Sequence, residues 1–142
     1  MLKPLGQAIT DQVYSHMREG LELAKQGRHQ EAAVSFRKSW ELVPEPKYEW
    51  DLSKITLFRL AKFFRDSGFF AEAHEWIDQV AKCPVQLGDG LMELTKGAIF
   101  LAAGDSDAAF IWFDKAYAAG GKRAFQGEDP KYLSFLKTRR KV

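Results

Sequence analysis

Three histidines, one cysteine and nineteen acidic residues are the side chains in this 142-residue chain that could bind a metal or move a proton. His16, His29 and His74 never fall three or four positions apart, and no His-Glu-x-x-His run occurs. No helical turn therefore presents two imidazoles to one ion. His74 follows Ala73 and precedes Glu75, which reads as the outer flank of a helix. Cys83 precedes Pro84 at a predicted helix end. A thiol nucleophile needs an activating base, and the spacing indicates none, so Cys83 reads as a structural thiol. A lone cysteine excludes an intramolecular disulfide and any multi-cysteine zinc site, and it fits a reducing compartment. Gly88-Asp89-Gly90 begins like a phosphate loop but lacks the third glycine, the lysine and the preceding strand, and reads as a turn. The carboxylates are scattered beside basic neighbours, as Glu41 is near Lys38, in the manner of a solvated surface. No catalytic residue, metal ligand or cofactor is expected, and the chain is not read as an enzyme.

The cations are more informative. Arg59, Lys62 and Arg65 recur at helical spacing with Phe58 beside them, forming one basic stripe; local carboxylates such as Asp66 offer it alternative partners. From Lys122 onward there are seven basic residues against two acidic ones, which leaves the first 121 residues with 14 basic and 17 acidic side chains. The formal charge of +2 thus belongs to the tail and does not advertise nucleic acid. Lys137-Thr138-Arg139-Arg140-Lys141 admits weak, salt-sensitive contact with phosphates; its other reading is a solvated cap on the negative end of the last helix.

An apolar fraction of 46% and an aromatic fraction of 13% place the chain among folded domains, and its length suits one domain. Residues 1–7 carry no apolar run of the kind a secretory signal has, and no stretch approaches the ~18 apolar residues of a membrane span. A cytoplasmic location is expected. Almost every segment has helical periodicity. The first helix uses Ile9, Val13, Met17, Gly20, Leu21 and Ala24 and stops at Gly27; the second uses Ala32, Ala33, Phe36, Trp40 and Val43 and closes at Pro44. Ser53 is expected to cap a third, with Leu57, Leu60, Ala61 and Phe64, ending at Gly68. Ala73, Ile77, Val80 and Ala81 mark a fourth, and Leu91, Leu94, Gly97, Ala98 and Leu101 a fifth. Asp105 caps a sixth that ends at Gly120-Gly121, and Asp129-Pro130 opens a seventh. No strand is expected.

The first six helices pair by a constant arithmetic. Gly20, Ala61 and Gly97 are each followed twelve positions later by an alanine: Ala32, Ala73 and Ala109. Four residues further stand Phe36, Ile77 and Phe113, and each pair breaks at a glycine: Gly27, Gly68 and Gly104. Leu23, Phe64 and Phe100 follow the small residues by three. This pattern resembles the tetratricopeptide repeat, in units of about 13–46, 54–87 and 90–123 with a capping helix at about 129–140. His16 and Glu19, and Glu93 and Lys96, replace the family's opening Trp and Leu, and the third unit closes with glycines. The alanines are 41 and 36 apart, so extra residues lie between pairs, most of them in residues 44–53, where regular stacking is most at risk. Residues 127–137 are also similar to the endings of small stand-alone bacterial repeat proteins.

The resemblance implies an all-α fold, an α-solenoid of three helix pairs plus a cap, whose first helices line a ligand groove. By register that groove holds Tyr14, Met17, Arg18, Leu21, Ile55, Phe58, Arg59, Lys62, Arg65, Leu91, Leu94 and Ala98, joined from the insert by Tyr48 and Trp50. Such a groove implies a non-catalytic module for a peptide or protein partner with acidic and hydrophobic features. An immunity protein that neutralises a cognate toxin is the alternative, with nucleic-acid association through the tail behind it. Some family members clamp a chaperone's C-terminal carboxylate; the corresponding positions, Met17, Leu21 and Ile55, donate no hydrogen bonds. Tyr14, Tyr48, Trp50 and Phe58 are aromatic residues that repeat packing does not require.

Overall fold

A chain that reverses in three residues needs a left-handed conformation that side chains with a Cβ resist. Gly27, Gly68 and Gly104 supply it, with φ of +77°, +81° and +88°. At each, the glycine N–H donates to the carbonyl three residues back and the next N–H to the carbonyl five back: Arg28 to Leu23 at 2.9 Å, Phe69 to Phe64 at 2.8 Å, and Asp105 to Phe100 at 2.9 Å. These bonds satisfy carbonyls that the helix end leaves open. The computed structural model that shows this describes residues 2–84 and 88–140.

Among the described residues there are seven α-helices: α1 (Gln7–Lys25), α2 (His29–Glu41), α3 (Ser53–Asp66), α4 (Phe70–Asp78), α5 (Leu91–Ala102), α6 (Ser106–Gly120) and α7 (Pro130–Arg140). Short 3-10 segments, Gln79–Lys82 and Gly121–Phe125, extend α4 and α6. No strand occurs among these residues; one isolated parallel bridge joins Lys3 to Trp50. The fold is all-α. The helices form three hairpins, α1 with α2, α3 with α4 and α5 with α6. The second hairpin packs on the first through α2 and α3, and on the third through α3, α4 and α5, while α7 packs on α6.

Within a hairpin the close approach is set by one ring against one bare turn. A Cβ built on Gly20 would lie 2.6 Å from the Phe36 ring, and one on Gly97 would lie 2.6 Å from the Phe113 ring. Both rings are buried, and Phe36 also stacks on Phe63 at 4.2 Å. In the middle hairpin, at the same register, Ala61 carries a methyl and Ile77 replaces the phenylalanine, both fully buried. One apolar cluster runs from Val13 through the first two hairpins to Ile99; a second joins Leu94, Ala98, Ala109 and Phe113 to Phe125, Tyr132 and Leu136.

The caps follow the sequence except at α3. Asp105 accepts from the Ala108 N–H at 3.1 Å, and Asp129 accepts from Lys131 N–H at 3.0 Å ahead of Pro130. Ser53 is not a cap: it is the first residue of α3 and buried. Its hydroxyl accepts from Trp50 N–H and donates to Lys47 O at 2.5 Å. It therefore organises the insert instead. Residues 44–53 are stitched down throughout. The Lys47 ammonium donates to the carbonyls of Trp40 (2.7 Å) and Val43 (2.9 Å), capping α2, and the Trp50 indole donates to Pro44 O at 2.8 Å. The Tyr48 hydroxyl donates to Gln79 at 2.7 Å. Across this junction Arg37 of α2 also makes a two-pronged contact with Glu72 of α4, at 2.9 and 2.7 Å. The guanidinium holds the Glu72 carboxyl below its ordinary range.

At the C-terminal end, Arg139 pairs with Asp107 at 2.9 Å and lies over Phe110, and Arg140 pairs with Asp114 and lies over Tyr117. The tail arginines thus fasten α7 to α6; Lys141 and the end of the second expected unit, Leu87, lie outside the described residues. No helix among the described residues is long and apolar enough to cross a membrane.

Gly20→Ala forces the buried Phe36 ring to move and is expected to lower stability by about 1–3 kcal/mol. Phe36→Ile alone also destabilises, but the double variant recreates the pairing of the middle hairpin. Chemical denaturation of the four proteins should show the double variant losing less than the sum of its singles; strict additivity would mean that the ring and the glycine do not share one space.

Candidate functional site

From its middle onward α1 presents Tyr14, Met17, Arg18 and Leu21 to the cleft, and successive turns of α3 return Arg59 and Lys62. These six expected residues line one cleft of roughly 520 Å³, together with Ala24, His29, Phe36, Phe63, Asp66 and Ser67. Its floor is apolar, with Met17, Phe36 and Phe63 buried and Tyr14 half-buried. Leu21 stands on its rim, 53% exposed.

The rim cations lack carboxylates. The other arginines of the first 121 residues are matched, Arg28 with Glu31, Arg37 with Glu72 and Arg65 with Asp66, and in the tail Arg139 pairs with Asp107 and Arg140 with Asp114. Arg18 and Lys62 have no ion-pair or hydrogen-bond partner among the described residues, and Arg59 lies over the Tyr14 ring at 5.4 Å. Tyr14 thus orients Arg59 without cancelling its charge. The one carboxylate at the cleft, Asp66, is held by Arg65 at 2.9 Å. Exposed cations 10 Å or so apart in water interact weakly, but over an apolar floor they are able to hold an anion that displaces the water between them.

The remaining expected residues separate into three groups. Ile55, Phe58 and Leu91 line a second cleft of roughly 460 Å³ on the other flank of α3, between α3 and the start of α5. Leu94 and Ala98 are buried at 0% and 1% exposure, so they belong to the core and not to a groove. Helical register placed them on the groove face, whereas the second 3-10 segment packs on α5 and both residues join the apolar cluster that includes Phe125, Tyr132 and Leu136. Arg65 also leaves the basic stripe, for its side chain is 10% exposed and bound to Asp66. Tyr48 and Trp50 lie in the insert, half-buried with their polar atoms engaged, apart from both clefts except through neighbouring Asp51.

Sequence reasoning missed Phe63, His29 and Ser67 in the first cleft. His29 Nδ1 stands 3.0 Å from the Ser67 hydroxyl, joining the start of α2 to the end of α3. The available signal was positional, since His29 follows the Gly27 turn by two residues and Ser67 precedes the Gly68 turn by one.

Cys83 and His74, two reactive groups outside the two clefts, are both packed into the interior. Burial pushes the Cys83 thiol above its ordinary value, the wrong direction for a thiolate nucleophile. No group of three or more His, Cys, Asp or Glu side chains capable of holding a metal occurs among the described residues. His74 is packed between α4 and α5, its ring 4.4 Å from that of Phe100, and its Nδ1 is buried without a partner. Burial lowers its pKa first, and the Lys96 ammonium lowers it further against the opposing pull of Asp78. It is a packing residue. The sequence matches no protein-family model and no curated protein.

The His74 environment makes stability depend on pH. An unfolded histidine takes a proton near 6.5, whereas the folded one does so only at lower pH. The unfolded state therefore binds more protons in that window, and stability present above 6.5 declines as pH falls towards the folded pKa. Glu31 and Glu72, both lowered from 4.5, stay ionised there. Denaturation between about pH 7.5 and 5.5 should show that decline, and His74→Gln should flatten it. An unchanged slope in the variant would place the pH dependence elsewhere.

Proposed function

We propose that the chain is a non-catalytic protein-interaction module that receives a peptide segment of its partner in the cleft between α1 and α3. The reading that goes with it is a short α-solenoid of tetratricopeptide-like pairs, working in the cytoplasm, where a lone buried thiol stays reduced. The constancy of the pair arithmetic and the three identical glycine turns support that reading. The observation that carries the function is the concentration of Arg18, Arg59 and Lys62 around an apolar floor. It occurs within the first 121 residues, which are net acidic and whose other arginines are paired.

A partner segment with one large apolar side chain and adjoining carboxylates fits this chemistry. The apolar side chain removes itself and Leu21 from water, and the carboxylates take up the three cations at close range. Neither contribution requires a catalytic group. Nucleic-acid association through the tail is the poorer reading, because Arg139 and Arg140 are already held by Asp107 and Asp114.

Selection of a phage-displayed random peptide library on the intact chain should enrich sequences in which acidic residues adjoin a large apolar one. Arg59→Glu with Lys62→Glu changes two exposed positions and is expected to leave the fold intact while weakening the selected peptides by at least about tenfold. Enriched peptides without acidic residues, no enrichment at all, or binding unaffected by the double reversal would overturn the assignment.

A further inference from the structure

The second cleft shares α3 as a wall with the first. Its floor is formed by Phe58, Val80 and Met92, and Ile55 stands at its edge, 41% exposed. Its charge is opposite in sign: among the described residues Asp51, Asp89 and Glu93 line it with Lys54 as the one cation. The first two carboxylates are anchored, Asp51 accepting from Leu5 N–H at 3.3 Å and Asp89 from Leu91 N–H at 3.0 Å. Glu93 has no hydrogen-bond or ion-pair partner among the described residues.

Along α3 the exposed side chains run Ile55, Arg59, Lys62, from the edge of the second cleft to the rim of the first. Seven residues at 1.5 Å rise separate Ile55 from Lys62 by about 10 Å along the helix. An extended peptide covers that distance in about three residues. The two clefts are therefore within reach of one short segment lying obliquely over α3, and the intervening ridge is open.

Resting on the reading of the first cleft, we infer that the occupant is a single bipartite segment, oriented by charge. Its acidic half lies over α1 and α3. A second apolar side chain, with a basic neighbour, lies in the cleft between α3 and α5, about three residues away. The opposite polarity places Glu93 and Asp51 against the acidic half and Arg59 against the basic one, so the reversed pose is repelled at both ends. Charge here determines direction; the two apolar floors supply the attraction.

The test uses a peptide selected as above, together with the same peptide cut back to its acidic half. Ile55→Asp alters an exposed position and should weaken the full peptide at least about tenfold while leaving the acidic half unaffected. Glu93→Lys should weaken the full peptide, and replacing the peptide's basic residue with Glu should restore binding to that variant. Equal affinity of the acidic half and the full peptide would overturn the inference and leave the first cleft's role standing. Equal loss of both peptides on Ile55→Asp would also overturn it, since the effect would then not pass through the second cleft. Failure of the first cleft's role has a different signature, insensitivity of both peptides to Arg59→Glu with Lys62→Glu.

Discussion

The structure depends on a ring of one helix lying against a turn of its partner that carries no side chain. Gly20 faces Phe36, and Gly97 faces Phe113, each with no room for even a methyl group. That contact brings two helical backbones close and fixes which faces meet, since a rotation of either helix drives the ring into neighbouring side chains. The middle hairpin reaches a similar fit with the volume redistributed, a methyl on Ala61 and a smaller Ile77. Because the partner helix supplies the large residue, α2, α4 and α6 are committed to the interior on that side. The first helices keep outer faces with positions left to spare, and the clefts form on those faces.

The distribution of charge follows from the same geometry. Where helices of different hairpins meet, cations are satisfied across the joint, as Arg37 is by Glu72 and Lys96 by Asp78. The last helix is fastened similarly through Arg139 and Arg140. Between α1 and α3 the backbones stand far enough apart for a cleft, and among the described residues no carboxylate from the opposite wall reaches Arg18 or Lys62. A cation left in water costs little, so folding does not penalise this arrangement. Its consequence is a surface whose charge is available to something outside the chain.

The hairpins were legible because their information is local. A small residue, an alanine twelve later and a large apolar residue four beyond occupy one continuous stretch, and the glycine between them needs a conformation that few other residues accept. The insert was not legible in this way. Its order comes from Lys47 reaching back to two carbonyls of the α2 terminus and from Tyr48 reaching forward to Gln79, contacts that no periodicity announces. Ser53 has the composition of a cap and the role of a tie, and only the position of Lys47 O distinguishes them. The basic stripe was legible as a helical face but not as a divided one: Arg65 turns to the adjacent Asp66, while Arg59 turns to a tyrosine 45 residues earlier. Leu94 and Ala98 share the register of surface positions, and their burial comes from distant stretches of chain that join them in one apolar cluster.

The insert also bears on why the first cleft persists. The extra residues between these hairpins would ordinarily permit the second hairpin to rock against the first, and an apolar floor of this size would favour collapse. Ties on either side of the cleft oppose that motion: His29 to Ser67 at the turn end, and Arg37 to Glu72 with Tyr48 to Gln79 beyond the floor. The Lys3–Trp50 bridge adds a backbone link between the start of the chain and the insert. The stacked Phe36 and Phe63 rings fill the base, so closure would have to unstack them before α1 met α3. An open apolar cleft is stable when its walls are held from outside and its floor is already packed. Both conditions are met here: Arg37 with Glu72 and Tyr48 with Gln79 hold the joint from outside the cleft, and the stacked Phe36 and Phe63 rings that line it pack its floor.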